Sequence, residues 1–316
     1  MEVKRLLCFI VIAALLGFST ACGGETAKQK SDGADFTKGY FAGLADENTV
    51  AVDLRDYVDA NGTKITYTVR SDNEDVVTAE VKGDTLTATV NGAEGSACIT
   101  VGVKSNGKKA FDLFFTFTAN VYERVACIGD SLTYGHAWHD QSYPVYLQEL
   151  LGDIEVKNFG YNGASVTDRS TNYNLKYSKL KEYADSLAFK PDIAVIMLGS
   201  NDGWAWKGSE PTFEREYKKL IDAYFEAGAK EVFLLTAPPT LDGNAFDIPN
   251  DILVSEVCPT QRRIADEYGL PLVDVREAFE AQEDLNSLFR PGDGVHFSVD
   301  GAKLVASLVK DALVKL

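Results

Sequence analysis

Five short apolar runs dominate the second half of this chain: Val125–Ile128, Ile154–Asn158, Ile193–Leu198, Glu231–Leu235 and Pro271–Val275. Runs this short and this apolar read as strands buried on both faces. The stretches between them carry helical periodicity, predicted over Tyr143–Leu151, Ser178–Ala188, Thr212–Ala227 and Asp251–Tyr268, with a closing helix over Ser298–Leu316. Parallel strands need such crossovers. The pattern predicts an α/β three-layer sandwich with a five-stranded parallel sheet and right-handed connections, spanning residues 123–316.

Residues 36–122 follow a period of two instead. Thr and Val alternate through Thr49–Leu54, Lys64–Arg70, Val76–Lys82, Thr85–Val90, Ser96–Val103 and Lys109–Val121. Asn61-Gly62, Gly83-Asp84, Asn91-Gly92 and Asn106-Gly107 punctuate them as turns. That spacing predicts an antiparallel all-β sandwich. The stretch resembles bacterial immunoglobulin-like or cadherin-like modules, and the reading is a spacer or adhesion module, with carbohydrate binding as the sharper alternative.

Residues 1–21 have the form of a signal peptide: Lys4 and Arg5, then an apolar run from Leu6 to Phe18 that is short for a membrane span. Ser19-Thr20-Ala21-Cys22 resembles the lipobox of bacterial lipoproteins, with Ser19 where that box usually carries an aliphatic residue. The resemblance implies lipidation of Cys22 and an extracytoplasmic protein attached to the membrane only through that anchor; plain secretion is the alternative. The polar residues 22–35 are expected to form a flexible tether.

The chain carries a net charge of −16 and no basic stripe, which argues against nucleic acid as a partner and favours a neutral substrate. Its five cysteines form no Cys-x-x-Cys pair, so neither a structural zinc nor any other metal or cofactor is expected. Cys98 and Cys127 read as small core residues, and a Cys127–Cys258 bridge is open but not favoured.

Three loops at the carboxyl ends of the first three predicted strands are rich in small polar residues: Gly129-Asp130-Ser131, Asn158 to Ser165, and Gly199-Ser200-Asn201-Asp202. Parallel topology brings them to one edge, where ligands bind in open α/β sheets. Ser131 is a nucleophile there if a base and an oxyanion pocket converge on it, and otherwise a helix N-cap. The chain has three histidines. His296, in Asp293-Gly294-Val295-His296, has a carboxylate three residues away to fix its tautomer. His139, beside Asp140, is the competing base.

These segments resemble the SGNH superfamily of GDSL-type esterases and lipases, block by block and in order: Gly129-Asp130-Ser131-Leu132, Gly163, Asn201 in Gly-x-Asn-Asp, and Asp293 with His296. The resemblance covers residues 123–316 and implies a flavodoxin-like fold. It further implies Ser131 as nucleophile, His296 as base and Asp293 as its orienter. The Ser131 and Gly163 backbone N–H groups and the Asn201 amide would hold the oxyanion. Gly-x-Ser-x-Gly is absent, since Thr133 occupies the second glycine position. Tyr134, Trp138, Tyr161, Trp204 and Trp206 lie close to the blocks and are expected to stack on sugar rings, and the loop from Leu234 to Asn250 is expected to wall an acyl pocket. The expectation is a carboxylic ester hydrolase acting on small acyl esters, acetyl esters of carbohydrate above all. A lysophospholipase or thioesterase is the alternative enzyme, and a non-catalytic carbohydrate-binding surface protein the alternative outside catalysis.

Overall fold

A computed structural model of the chain describes residues 26–41, 44, 47–168, 175–206 and 209–316. The expected signal peptide and Cys22 lie outside the described residues.

Among the described residues, nine strands build the N-terminal half: β1 (Lys28–Gln29), β2 (Gly33–Phe41), β3 (Thr49–Asp53), β4 (Val58–Asp59), β5 (Ile65–Ser71), β6 (Val77–Lys82), β7 (Thr85–Val90), β8 (Gly95–Ser105) and β9 (Lys108–Tyr122). One sheet has the order β2-β9-β8-β5 and the other β3-β7-β6, while β1 and β4 form a small ribbon. Alternate residues of β8 and β9 (Ile99, Val101, Val103, Leu113, Phe115, Phe117) bury against Val52, Leu86, Ala88 and Val90 of the facing sheet. The β8–β9 hairpin turns through Asn106 and Gly107, at φ 48° and 80°, as a two-residue loop with both φ positive requires.

Two features differ from the sequence expectation. Residues 28–29 and 33–35, within the stretch expected as a tether, are strand residues. The sandwich is also mixed rather than wholly antiparallel, because β2 pairs with β9 in parallel, from Gly33 opposite Phe114 to Phe41 opposite Tyr122. β2 has a neighbour on one side only, so its polar residues Asp35, Thr37 and Lys38 remain compatible with a strand and mute the apolar alternation.

The C-terminal half alternates β10 (Arg124–Gly129), α1 (Ser131–Tyr134), α2 (Tyr143–Leu151), β11 (Glu155–Gly160), α3 (Lys181–Ala188), β12 (Ile193–Met197), α4 (Glu210–Glu226) and β13 (Glu231–Leu235). It continues with α5 (Asn250–Ile252), a π-turn over Leu253–Val257, α6 (Cys258–Tyr268), β14 (Leu272–Val273), α7 (Val275–Glu280) and α8 (Val299–Leu313). The five strands are all parallel, in the order β11-β10-β12-β13-β14. All five residues of β12 are buried, as a strand covered on both faces must be. The chain leaves β10 toward one edge and returns to its other side as β12, so the topological switch point lies between these two strands. Ser131 and Asn201 follow them directly.

The single helix expected over Asp251–Tyr268 is divided by the π-turn. The last strand is cut to two residues because Asp274 accepts a hydrogen bond from Glu277 N (3.1 Å) and so caps α7. Cys127 and Cys258 are buried free thiols, with burial pushing Cys127 up to about 12. Among the described residues, no helix is long and apolar enough to cross a membrane.

Only Glu123 separates β9 from β10. Phe41 and Tyr122, at the ends of β2 and β9, pack with ring centroids 5.2 Å apart inside the core of the α/β half. Lys230 Nζ donates to Glu94 and to the Val121 carbonyl (2.7 and 2.9 Å), tying the halves across the junction.

Candidate active site

At the end of β10 the backbone passes between β11 and β12, and Gly129 makes room for it. A Cβ there would fall 2.0 Å from Thr133 Oγ1 and 2.7 Å from the Met197 carbonyl. Asp130 Oδ1 accepts from Leu132 N (2.9 Å) and caps α1, which leaves Ser131 as the first helical residue. Its Oγ lies 2.9 Å from His296 Nε2. His296 Nδ1 in turn lies 2.9 and 3.1 Å from the two oxygens of Asp293. Asp293 is fixed by its own turn: Oδ1 accepts from Val295 N (2.9 Å) and His296 N (2.7 Å). The Phe289–Phe297 bridge closes that loop, and Ser298 caps α8 immediately after it.

Burial pushes the His296 imidazole below its ordinary value, with Asp293 opposing and His136 and Arg290 reinforcing the shift. For Asp293, burial works to raise the carboxyl, but hydrogen bonds from the His296 backbone and ring hold it below the usual carboxylate range. At neutral pH the pair is therefore carboxylate and neutral imidazole. Nδ1–H donates to Asp293, and the Nε2 lone pair faces the Ser131 hydroxyl, which donates to it. A serine and a base in this relation can carry nucleophilic chemistry.

The second and third loops are locked to each other. Asp202, buried after β12, accepts from Val166 N, Thr167 N and Thr167 Oγ1 at 2.7–2.9 Å. Asn201 Nδ2 donates to the Ala164 carbonyl (3.0 Å) and to Asp130 Oδ2 (3.2 Å), joining all three loops. Gly163 has φ +77°, a conformation that costs other residues strain and turns the loop at the cavity wall. A cavity of about 250 Å³ is lined by Ser131, Gly163, Asn201 and His296, with Leu175, Phe246 and Ile248 as apolar walls.

The structure thus brings Ser131, Asp293, His296, Gly163 and Asn201 to one place. His139 points elsewhere: its Nδ1 meets the Tyr134 carbonyl at 2.6 Å and its ring packs on Tyr134. Among the expected aromatics, Trp204 lines the cavity, whereas Tyr134, Trp138, Tyr161 and Trp206 do not. Trp138 lies under the Arg290 guanidinium at 4.3 Å, and Tyr161 is exposed. Trp206 packs edge-on against Phe213 and, with Trp204, lines a neighbouring cleft. Closeness to the motifs in sequence therefore does not place a ring in this cavity. From the Leu234 to Asn250 loop it is Phe246 and Ile248 that reach the cavity.

Sequence reasoning missed two neighbours. His136 stacks on His296 (4.5 Å, 24°), and Phe246 meets His296 edge-on at 4.8 Å. His136 is near Ser131 in sequence, but nothing in its surroundings signals the stacking, which depends on a loop more than 150 positions away folding back. No group of three or more metal-ligating side chains occurs among the described residues.

An acetylxylan esterase of Xylanibacter ruminicola is 30% identical over 60% of this chain and 43% of its own length, so the chain spans less than half of that relative. An acetylxylan esterase of Geobacillus stearothermophilus is 28% identical over 58% of this chain and 90% of its own. A lipase/acylhydrolase from Enterococcus faecalis is similar in structure, with TM-score 0.48 and 24% identity over 61% of this chain and 96% of that one. Residues 127–304, more than half of the chain, match a single family, and the chain belongs to the GDSL-like lipase/acylhydrolase family of carboxylic ester hydrolases.

Proposed function

We propose that this protein hydrolyses small acyl esters of carbohydrate, acetyl esters foremost, through Ser131, His296 and Asp293. The observation that carries the reading is the chain of contacts from Ser131 Oγ to His296 Nε2 (2.9 Å) and from His296 Nδ1 to Asp293 (2.9 Å), at a cavity walled by Gly163 and Asn201. In the first half-reaction Ser131 Oγ attacks the ester carbonyl while its proton passes to His296 Nε2. The tetrahedral oxyanion is held by the backbone N–H groups of Ser131 and Gly163 and by the Asn201 amide, which gives up its longer contact with Asp130. Collapse expels the sugar alkoxide, which takes the proton back from His296. Water then repeats the sequence on the acyl-enzyme, releasing the acid and restoring Ser131. Asp293 stays ionised throughout and supports the imidazolium.

Three observations support a short acyl group on a neutral sugar. The cavity of about 250 Å³ is small for a ligand site and has Leu175, Phe246 and Ile248 among its walls. The net charge of −16 disfavours anionic substrates. Two relatives bear the name acetylxylan esterase. The test is acetate release from a panel of acetylated polysaccharides by wild type and Ser131→Ala, alongside labelling by a fluorophosphonate probe. Release and labelling that persist in Ser131→Ala would overturn the reading, as would a strong preference for long-chain esters.

The N-terminal half we read as an immunoglobulin-like spacer. In chain order its strands group as β3-β7-β6 and β5-β8-β9, the B-E-D and C-F-G sheets of that sandwich, with β2 added beside β9. Cys22 we propose as a lipid anchor. Metabolic labelling with a fatty acid, lost in Cys22→Ser, tests it.

A further inference from the structure

A second cleft of about 650 Å³ opens beside the first, and Trp204 lines both. Its walls include Trp204, Trp206, Glu210, Pro249, Ile252 and Glu256. We propose that this cleft is a subsite for a neighbouring sugar unit of a neutral oligosaccharide whose acylated residue sits at Ser131. The proposal deepens the carbohydrate-esterase reading and rests on it for the identity of the reacting group.

Four observations converge on this cleft. Its volume lies within the range of about 300–1,000 Å³ usual for small-ligand sites. Trp204 is 52% exposed, and its indole is anchored by Nε1 donating to the Asp247 carbonyl at 2.7 Å. An anchored aromatic surface loses little entropy on stacking with a sugar ring. Glu210, held by Arg263 at 2.9 Å, and Glu256 present carboxylates, which accept hydrogen bonds from hydroxyls and repel uronate groups. Finally, Ile252 immediately precedes the π-turn and Glu256 comes from it, a rare local geometry that concentrates at functional sites. Its buried residues Leu253 and Val257 pack on the Gly199–Trp204 loop, so the wall of this cleft is braced against the loop that carries Asn201.

The test measures binding of non-acetylated xylotetraose, cellotetraose and tetragalacturonate to the full chain by calorimetry and tryptophan fluorescence, in wild type, Glu256→Ala and Trp204→Ala. At least one neutral tetramer is expected to bind and quench fluorescence, and the anionic one to bind far more weakly. Each substitution should weaken the neutral tetramer about tenfold, the worth of one charge-assisted hydrogen bond or one stacking contact. The ratio of kcat/KM on an acetylated tetramer to that on p-nitrophenyl acetate should fall by a similar factor in Glu256→Ala. Equal affinity in all three proteins, or tetragalacturonate binding as well as the neutral tetramers, would overturn the subsite. A protein that cleaves p-nitrophenyl acetate but binds no tetramer loses the subsite and keeps the esterase reading. One that binds the tetramers and cleaves no ester keeps the subsite and loses the esterase.

Discussion

Asp293→Asn tests the proposed mechanism at its most constrained atom. Asp293 Oδ1 already accepts two backbone N–H groups, from Val295 at 2.9 Å and His296 at 2.7 Å. An asparagine keeps the same shape and needs its oxygen at that position. Its NH2 group must then occupy the place of Oδ2, 2.9 Å from His296 Nδ1. Two donors cannot face each other, so Nδ1 loses its proton and Nε2 takes it. The imidazole would then present N–H to Ser131 where the reaction needs a lone pair. In a serine triad that inversion costs about ten-thousand-fold in kcat, equivalent to about 5.4 kcal/mol of barrier. The assay is kcat on p-nitrophenyl acetate at neutral pH, with circular dichroism to follow folding. A second readout separates tautomer from scaffold. Loss of the Asp293 charge removes a contribution that raises His296, so the residual activity should show its acid limb at lower pH than wild type. A folded Asp293→Asn retaining more than about a tenth of wild-type kcat would refute the reasoning, because no tautomer penalty could then exist.

In wild type the lowered His296 pKa makes the neutral, base-competent ring persist into mildly acidic solution, so kcat/KM should rise through an inflection below about 6.5 and be flat at neutral pH; an inflection above that value would contradict the burial argument. Asn201→Ala should lower kcat by about 10²–10³ with little change in KM, the usual cost of one oxyanion donor, checked by steady-state kinetics on the same ester. Along a series of p-nitrophenyl esters, kcat/KM should fall steeply beyond butyrate, because the cavity lined by Leu175, Phe246 and Ile248 holds only about 250 Å³. Ile196→Ala, in the fully buried β12, should cost about 2–5 kcal/mol in denaturant unfolding.

The parts of this protein that sequence made legible are those whose chemistry is local. β12 reads as a strand because all five of its residues are apolar and buried, and Asp293 reads as the partner of His296 because they share one turn. What stayed hidden depends on distant chain. The aromatics could be gathered near the cleft but not sorted, since whether an indole faces solvent like Trp204 or packs on Phe213 like Trp206 is decided by α4. The π-turn is invisible because Asp251–Tyr268 keeps helical periodicity on either side of it, and the segments on either side are too short for a change of phase between them to stand out. The domain boundary teaches the same lesson. Composition changes at residue 122, yet Tyr122 and Phe41 bury their rings in the core of the α/β half. Their alternation marks them as strand residues without saying which core receives them. A boundary drawn from periodicity therefore locates where the pattern changes, while packing at that boundary decides which core receives the residues on either side, and here Phe41 and Tyr122 of the β half join the core around the sheet that carries Ser131.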